Sequence, residues 1–297
     1  MKPARFEYAA PRTTQEALAL LARHGSGAKV LAGGQSLLPV LNFRLARPSV
    51  LIDLNGIPGL DTIEEDPTTR ELVIGALARQ SDVERAPVVA RLNPLLAEAL
   101  RHVGHRTIRN RGTVVGSLAH ADPAAELPLV LVTLEGRVKL ANGERERWVT
   151  AREFFVSYLT TALEPDELLI EARFPVLKEG SGWAIEEFSR RNGDFALAAA
   201  CVTLEIVSGV VARCAVAVAG GGPTPVRAPD AERALTGHEL SDAVITEAAA
   251  LAAAGCEFDS DIHGSAEYRR HLTQTLVGRA LSAARARHSA AGPAAGG

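Results

Sequence analysis

The stretch HVGHRTIRNRGTVVGSLAHADPAAELP, residues 102–128, is the least regular part of the chain, and it lies between segments whose patterning is clear. Glycine, arginine and turn formers held between well-patterned flanks read as a loop kept for function. Thr113 and Ser117 offer hydroxyl donors around Gly116, while Asp122 and Glu126 offer acceptors. That combination suits phosphate and ribose together, and so a nucleotide, although Asp122-Pro123 reads equally as the cap of a helix beginning at Pro123. A counterpart stands earlier, in AGGQSLLP at residues 32–39, directly after a short apolar run. Gly33 and Gly34 can take positive φ and turn their N–H groups outward into a nest that holds an anion without lysine, with Ser36 adding a hydroxyl. A plain glycine turn leaving a strand is the competing reading. Two such loops in one lobe could enclose the pyrophosphate of a dinucleotide from both sides.

Outward from these loops, helix and strand signals alternate. Thr13 to Glu16 has the spacing of a capping box and predicts a helix over 14–24, followed by strands at 29–32 and 50–54. Asp66-Pro67 centres a hairpin within 62–79, and Ser81 to Glu84 reads as a second capping box opening helical segments up to Val103. Residues 129–140 are strand-like, Thr150 to Glu153 is a third capping box, and 167–174 is a strand stopped by Pro175. A domain boundary falls near 176–181. Beyond it come strands at 183–189, 195–207 and 210–219, then helices near 230–236, 241–254 and 265–288, an α+β arrangement. The tail from 288 to 297 is small-residue sequence and is expected to be disordered.

Composition excludes several functions. A chain of 297 residues exceeds what one core organises, and a net charge of -3 argues against a basic nucleic-acid surface. The longest apolar run, 195–204, is about half of a membrane span. No apolar stretch follows the first charges, so no signal peptide and a cytoplasmic location are expected. Three cysteines without a CxxC pair leave iron–sulfur and thiol redox chemistry unsupported, so any redox role needs a bound organic cofactor. GxGxxG after the first strand, GxxxxGK[ST] and GxSxG are all missing. His102 and His105 lack a third metal ligand, no nucleophilic triad stands out, and the arginines at 101, 106, 109 and 111 read as a phosphate or partner contact or as a solvated face.

AGGQSLLP, then IRNRGTVVGSLAHADPAAELP, then EEFSRRNGDFALAAA at 186–200, in that order, resemble the FAD-binding medium subunit of the xanthine dehydrogenase and carbon monoxide dehydrogenase family of molybdenum hydroxylases. The resemblance covers about residues 1–285. It implies an α+β fold: a two-lobed FAD-binding domain of the PCMH type over 1–177, with lobes at about 1–56 and 57–177. A C-terminal α+β domain of the carbon monoxide dehydrogenase flavoprotein type follows over 178–287. Lys29, Val30, Leu31, Ala32, Gly33, Gly34, Gln35, Ser36 and Leu37 match the first FAD loop, which surrounds the pyrophosphate. Thr113, Gly116 and Ser117 match the second loop. His120, Asp122 and Glu126 continue along the ribityl and ribose region, Asp194 and Phe195 approach one face of the isoalloxazine, and Leu169 is a weaker match.

The chain departs from that family in two places. Val115 stands where relatives carry the first of two glycines, and a positive φ there would cost about 1–2 kcal/mol. Glu186 and Glu187 stand where many relatives have a lysine. The resemblance implies electron transfer from [2Fe-2S] clusters on a small subunit, through FAD, to an external acceptor, with a large molybdopterin subunit acting on the substrate. A heterotrimer or a dimer of heterotrimers is expected, without nucleic acid, membrane span, metal ligands or catalytic side chains in this chain. A stand-alone FAD-dependent oxidase and a scaffold that has lost FAD are the alternatives.

Overall fold

Three larger β-sheets and one two-stranded sheet organise residues 1–291, which the computed structural model describes. The first lobe holds β1 (Glu7–Ala9), α1 (Thr14–His24), β2 (Ala28–Leu31), α2 (Leu37–Asn42) and β3 (Val50–Asp53), with the strands parallel in the order β1-β3-β2. Helix α1 starts at Thr13, whose hydroxyl accepts the Glu16 N–H at 3.2 Å, and it buries Ala17, Leu18 and Leu21 on β3 and its neighbours. This is the amphipathic spacing read from the sequence.

The second lobe begins with the hairpin β4 (Ile63–Asp66) and β5 (Glu71–Gly75). It continues through α3 (Gln80–Arg85), α4 (Pro87–Leu92), α5 (Pro94–His102), α6 (Arg106–Arg109), α7 (Val114–His120) and α8 (Glu126–Thr133). Then follow β6 (Arg137–Ala141), β7 (Glu146–Thr150), α9 (Ala151–Phe154), the small hairpin β8 (Phe155–Ser157) and β9 (Thr160–Thr161), and β10 (Leu168–Pro175). An antiparallel sheet in the order β4-β5-β10-β6-β7 packs on the helices. Two sequence readings are corrected here. The strand expected over 129–140 is a helix up to Thr133 and a strand only from Arg137, because every residue of α8 is buried and a helix buried all round has no polar stripe to betray its period. Ser81 caps nothing: α3 starts after Arg79, which has no capping side chain, and the Ser81 hydroxyl turns to Asp82.

The C-terminal layer is an antiparallel sheet of β11 (Gly182–Phe188), β12 (Ala198–Val207), β13 (Val210–Ala219) and β14 (Val226–Arg227), followed by α10 (Pro229–Leu235), α11 (Asp242–Ala254) and α12 (Ala266–Ala291). Both faces of this sheet are covered. Ala198, Ala200 and Val202 face α10 to α12, whereas Ala199, Cys201, Ala217, Ala219 and Ile185 face the helices of the second lobe. That alternation explains why 195–204 reads as one continuous apolar run. Helix α12 continues through residue 291, past the point where the sequence suggests a disordered tail; 292–297 lie outside the described residues. It locks onto the start of the layer: Arg287 donates to the Trp183 carbonyl at 2.7 Å, and His288 Nδ1 lies 2.7 Å from the Gly180 carbonyl oxygen. A β-carbon at Gly182 would stand 2.9 Å from the carbonyl carbon of Ala284. We expect Gly182→Val to lift α12 off β11 and cost about 1–3 kcal/mol. Thermal unfolding will read this as a lower midpoint, and an unchanged midpoint would show that the close approach is not structural.

Candidate functional site

The two glycine loops cross each other. After β2 the chain turns at Gly34, whose φ is +75°, and enters α2 with Leu38 N–H bonded to the Gly34 carbonyl at 3.0 Å. A β-carbon on Gly33 would lie 2.7 Å from Gly112 Cα and 3.0 Å from Thr113 N, so the backbones of the two loops are in direct contact there. Thr113 is buried and caps α7: its Oγ1 accepts the Gly116 N–H at 3.0 Å, and a β-carbon on Gly116 would stand 2.5 Å from that oxygen. Val115 lies inside α7 with no positive φ, so the backbone cost considered for a valine in this place does not arise. The segment that reads as irregular contains two short helices, and its glycines serve closeness rather than looseness.

Two residues that the sequence reading missed hold the crossing in place. Asn55, just after β3, donates from Nδ2 to the Ala32 carbonyl at 3.0 Å and is steadied by Asp53, whose Oδ1 accepts the Asn55 N–H at 2.9 Å. Arg79 then donates from Nη2 to Asn55 Oδ1 at 2.5 Å and from Nη1 to the Arg111 carbonyl at 2.6 Å. One guanidinium thereby joins the first loop to the second. Burial, with the neighbouring Arg111 adding to it, draws the Arg79 pKa below its ordinary value. Neither residue belongs to a motif, and only the fold brings them within reach.

The remaining candidates follow the chain out of α7. His120 ends that helix, Ala121 takes a left-handed φ of 53°, and Asp122 Oδ1 accepts the Ala124 N–H at 2.9 Å, forming a turn that leads into α8 rather than a helix starting at Pro123. The Pro123 carbonyl accepts the Gly220 N–H at 3.0 Å, tying this turn to the C-terminal layer. Glu126, in the first turn of α8, is 7% exposed, and burial pushes its carboxyl up to about 7. From the other side comes the 189–197 loop, where Gly193, at φ +88°, sits so close to the His105 ring that a β-carbon would be 2.6 Å from it. This loop leaves Phe195 61% exposed and Asp194 half-buried beside it. Leu169 stands apart: its side chain is 4% exposed within the core, opposite Leu140. Lys29 and Gln35 are exposed, while Val30, Leu31 and Ser36 are half-buried along the first loop.

A backbone crossing that admits no β-carbon, flanked by a capped helix start and a second wall from the C-terminal layer, fits a dinucleotide held largely by main-chain groups. Comparison with known proteins agrees. The profile of the FAD binding domain in molybdopterin dehydrogenase matches residues 4–177, and that of the CO dehydrogenase flavoprotein C-terminal domain matches 183–284. The chain belongs to the FAD-binding medium subunits of the xanthine and carbon monoxide dehydrogenase family of molybdenum hydroxylases. It is 44% identical to subunit alpha of the 6-hydroxypseudooxynicotine dehydrogenase complex of Paenarthrobacter nicotinovorans, over 96% of both chains. It is 39% identical to the carbon monoxide dehydrogenase medium chain of Hydrogenophaga pseudoflava, over 97% of this chain and 99% of that one. The solved carbon monoxide dehydrogenase of the same organism superposes with a TM-score of 0.94 over 97% of this chain and 99% of that chain, at 40% identity. Quinoline 2-oxidoreductase from Pseudomonas putida 86 gives a TM-score of 0.92 at 36% identity, over 97% of this chain and 100% of that chain. The protein is therefore an FAD-binding oxidoreductase component, and its relatives are subunits of multi-subunit enzymes. No helix among the described residues is long and apolar enough to cross a membrane.

Proposed function

We propose that FAD is held by the backbone of residues 29–37 and by Thr113, Gly116 and Ser117, with its pyrophosphate where Gly33 meets Gly112. The absence of room for a β-carbon at Gly33 is the observation that carries this reading. Bound FAD supplies the conversion between one-electron input from iron–sulfur centres and two-electron delivery to an acceptor. The chain's own residues hold and shield it. Turned N–H groups neutralise phosphate charge, Thr113 fixes the start of α7, and Asp122 and Glu126 extend the polar wall toward the C-terminal layer. The Asp194 and Phe195 loop limits approach to one face, and no side chain need act as nucleophile or base.

The assembly we infer is a heterotrimer with a molybdopterin subunit and a [2Fe-2S] subunit, in single or doubled copy, working in the cytoplasm. The named relatives support it, being subunits of multi-component dehydrogenases, and the free state of Cys201, Cys214 and Cys256 is in keeping with a reducing compartment. Purifying the chain through a tag and analysing flavin, molybdenum and iron in what copurifies tests the reading. FAD released on denaturation, together with two further polypeptides carrying the metals, is the expected result. A colourless complex that still hydroxylates would overturn the FAD assignment, and turnover by the isolated chain would favour a stand-alone oxidase.

A further inference from the structure

Helix α2 and the bend after it, LLPVLNFRL at residues 37–45, are apolar, and the first lobe does not bury them. Of Leu37, Leu38, Val40, Leu41, Phe43 and Leu45, only Leu41 is buried, and none joins the core that α1 forms with the parallel sheet. Leu38 is 44% exposed, Phe43 63% and Leu45 80%. Single exposed apolar side chains are ordinary, whereas several on one short segment mark a contact surface.

The segment is held in one shape. Phe43 N–H donates to the Pro39 carbonyl and Leu45 N–H to the Val40 carbonyl, each at 3.0 Å. Between them Arg44 takes a left-handed φ of 58°; its Nε donates to the Lys2 carbonyl at 3.2 Å, and Arg47 Nε donates to the Arg44 carbonyl at 3.3 Å. A backbone fixed in advance lowers the ordering cost of binding. The charge here is of one sign: from Ala17 to Ile52 the chain has no aspartate or glutamate, yet it carries Arg23, Lys29, Arg44 and Arg47, in a protein whose net charge is -3. Among the described residues, Lys2, Arg44 and Arg47 form no ion pair.

An apolar centre with a cationic edge fits a partner of the same centre and the opposite edge. The relatives are subunits of multi-component dehydrogenases, which makes that partner a protein. α2 begins at Leu37, the last residue of the first FAD loop, so a subunit seated on it lies against the cofactor site, where an electron donor must be. We infer that residues 37–47 are the seat of the [2Fe-2S] subunit, which meets them with an apolar pocket edged by carboxylates. Phe43 is the aromatic anchor, Leu45 extends the apolar contact, and Arg47 supplies charge at the rim. The inference rests on the assembly set out under the proposed function.

The complex purified through a tag on this chain, with iron, molybdenum and FAD measured per chain, tests it. The native form is set beside a Phe43→Ser, Leu45→Ser double variant and beside Arg47→Glu. All three side chains are exposed and lie outside residues 29–37, so FAD content and thermal midpoint should stay native. The double variant should weaken retention of the iron subunit about tenfold or more, read as iron lost on dilution and gel filtration. Arg47→Glu should lose less, and the native complex should shed iron as salt is raised, because rim charges are screened. Full iron in the double variant would overturn the inference, and so would loss of molybdenum with iron kept, which gives the face to the large subunit. Two further outcomes refute it when iron retention is unaltered. A native chain that is dimeric, and monomeric in the double variant, assigns the face to a second copy; sedimentation with phosphatidylserine vesicles that Arg47→Glu abolishes assigns it to lipid. A native chain that copurifies without iron refutes the assembly itself. A flavin-free complex that loses iron only in the variants upholds the seat and refutes the FAD reading alone.

Discussion

Gly33→Val is expected to deprive the chain of most of its flavin. The new β-carbon would meet the Arg111 carbonyl oxygen, Gly112 Cα and Thr113 N, all backbone atoms that cannot rotate aside. Either the loops separate or α7 shifts, and both outcomes disturb the close approach of the two loops at the crossing. Overpacking of this kind costs about 1–3 kcal/mol, a tenfold to hundredfold loss in affinity if it falls on the bound state. FAD released per mole of purified protein measures it. Gly143→Ala is the control, since a β-carbon there meets nothing within 4 Å. Full occupancy in G33V would mean that the pyrophosphate lies elsewhere.

Arg79→Ala should be nearly as damaging although it touches no part of either glycine motif. It leaves Asn55 Oδ1 and the Arg111 carbonyl without their shared donor, and hydrogen bonds to a charged group are worth about 1.5–3 kcal/mol each. The loss falls on the relative position of the loops, so FAD affinity should drop about tenfold or more. Arg79→Lys should recover little, because a single ammonium cannot span two acceptors as a planar fork does. Native FAD affinity in R79A would show that the crossing holds without its guanidinium staple.

Many helices and strands, and the dinucleotide reading of the paired glycine loops, were legible from local patterning, whereas FAD itself and the division into lobes came from the family resemblance. The helix at 14–24, the hairpin at Asp66 and the long strands after Gly182 follow from periodicity and turn chemistry. α8 was hidden because ELPLVLVT is buried on every side, so that length and burial, not period, decide its conformation. α7 was hidden because Gly112 and Gly116 look like loop residues, whereas one lies beneath a crossing loop and the other makes room for a capping threonine. Asn55, Arg79 and the His105 contact of Gly193 depend on segments 23 or more residues apart, which no local reading can join. Leu169 shows the converse, a family position whose side chain is committed to the core.

The clasp of α12 on the start of β11 also sets an order of manufacture. Residues 4–177 leave the ribosome first, and domains generally fold as units from the N-terminus. The layer that begins at Gly182 cannot close until residues 284–288, more than a hundred positions later, have left the ribosome to reach Gly182, Trp183 and Gly180. The cleft therefore gains its outer wall last.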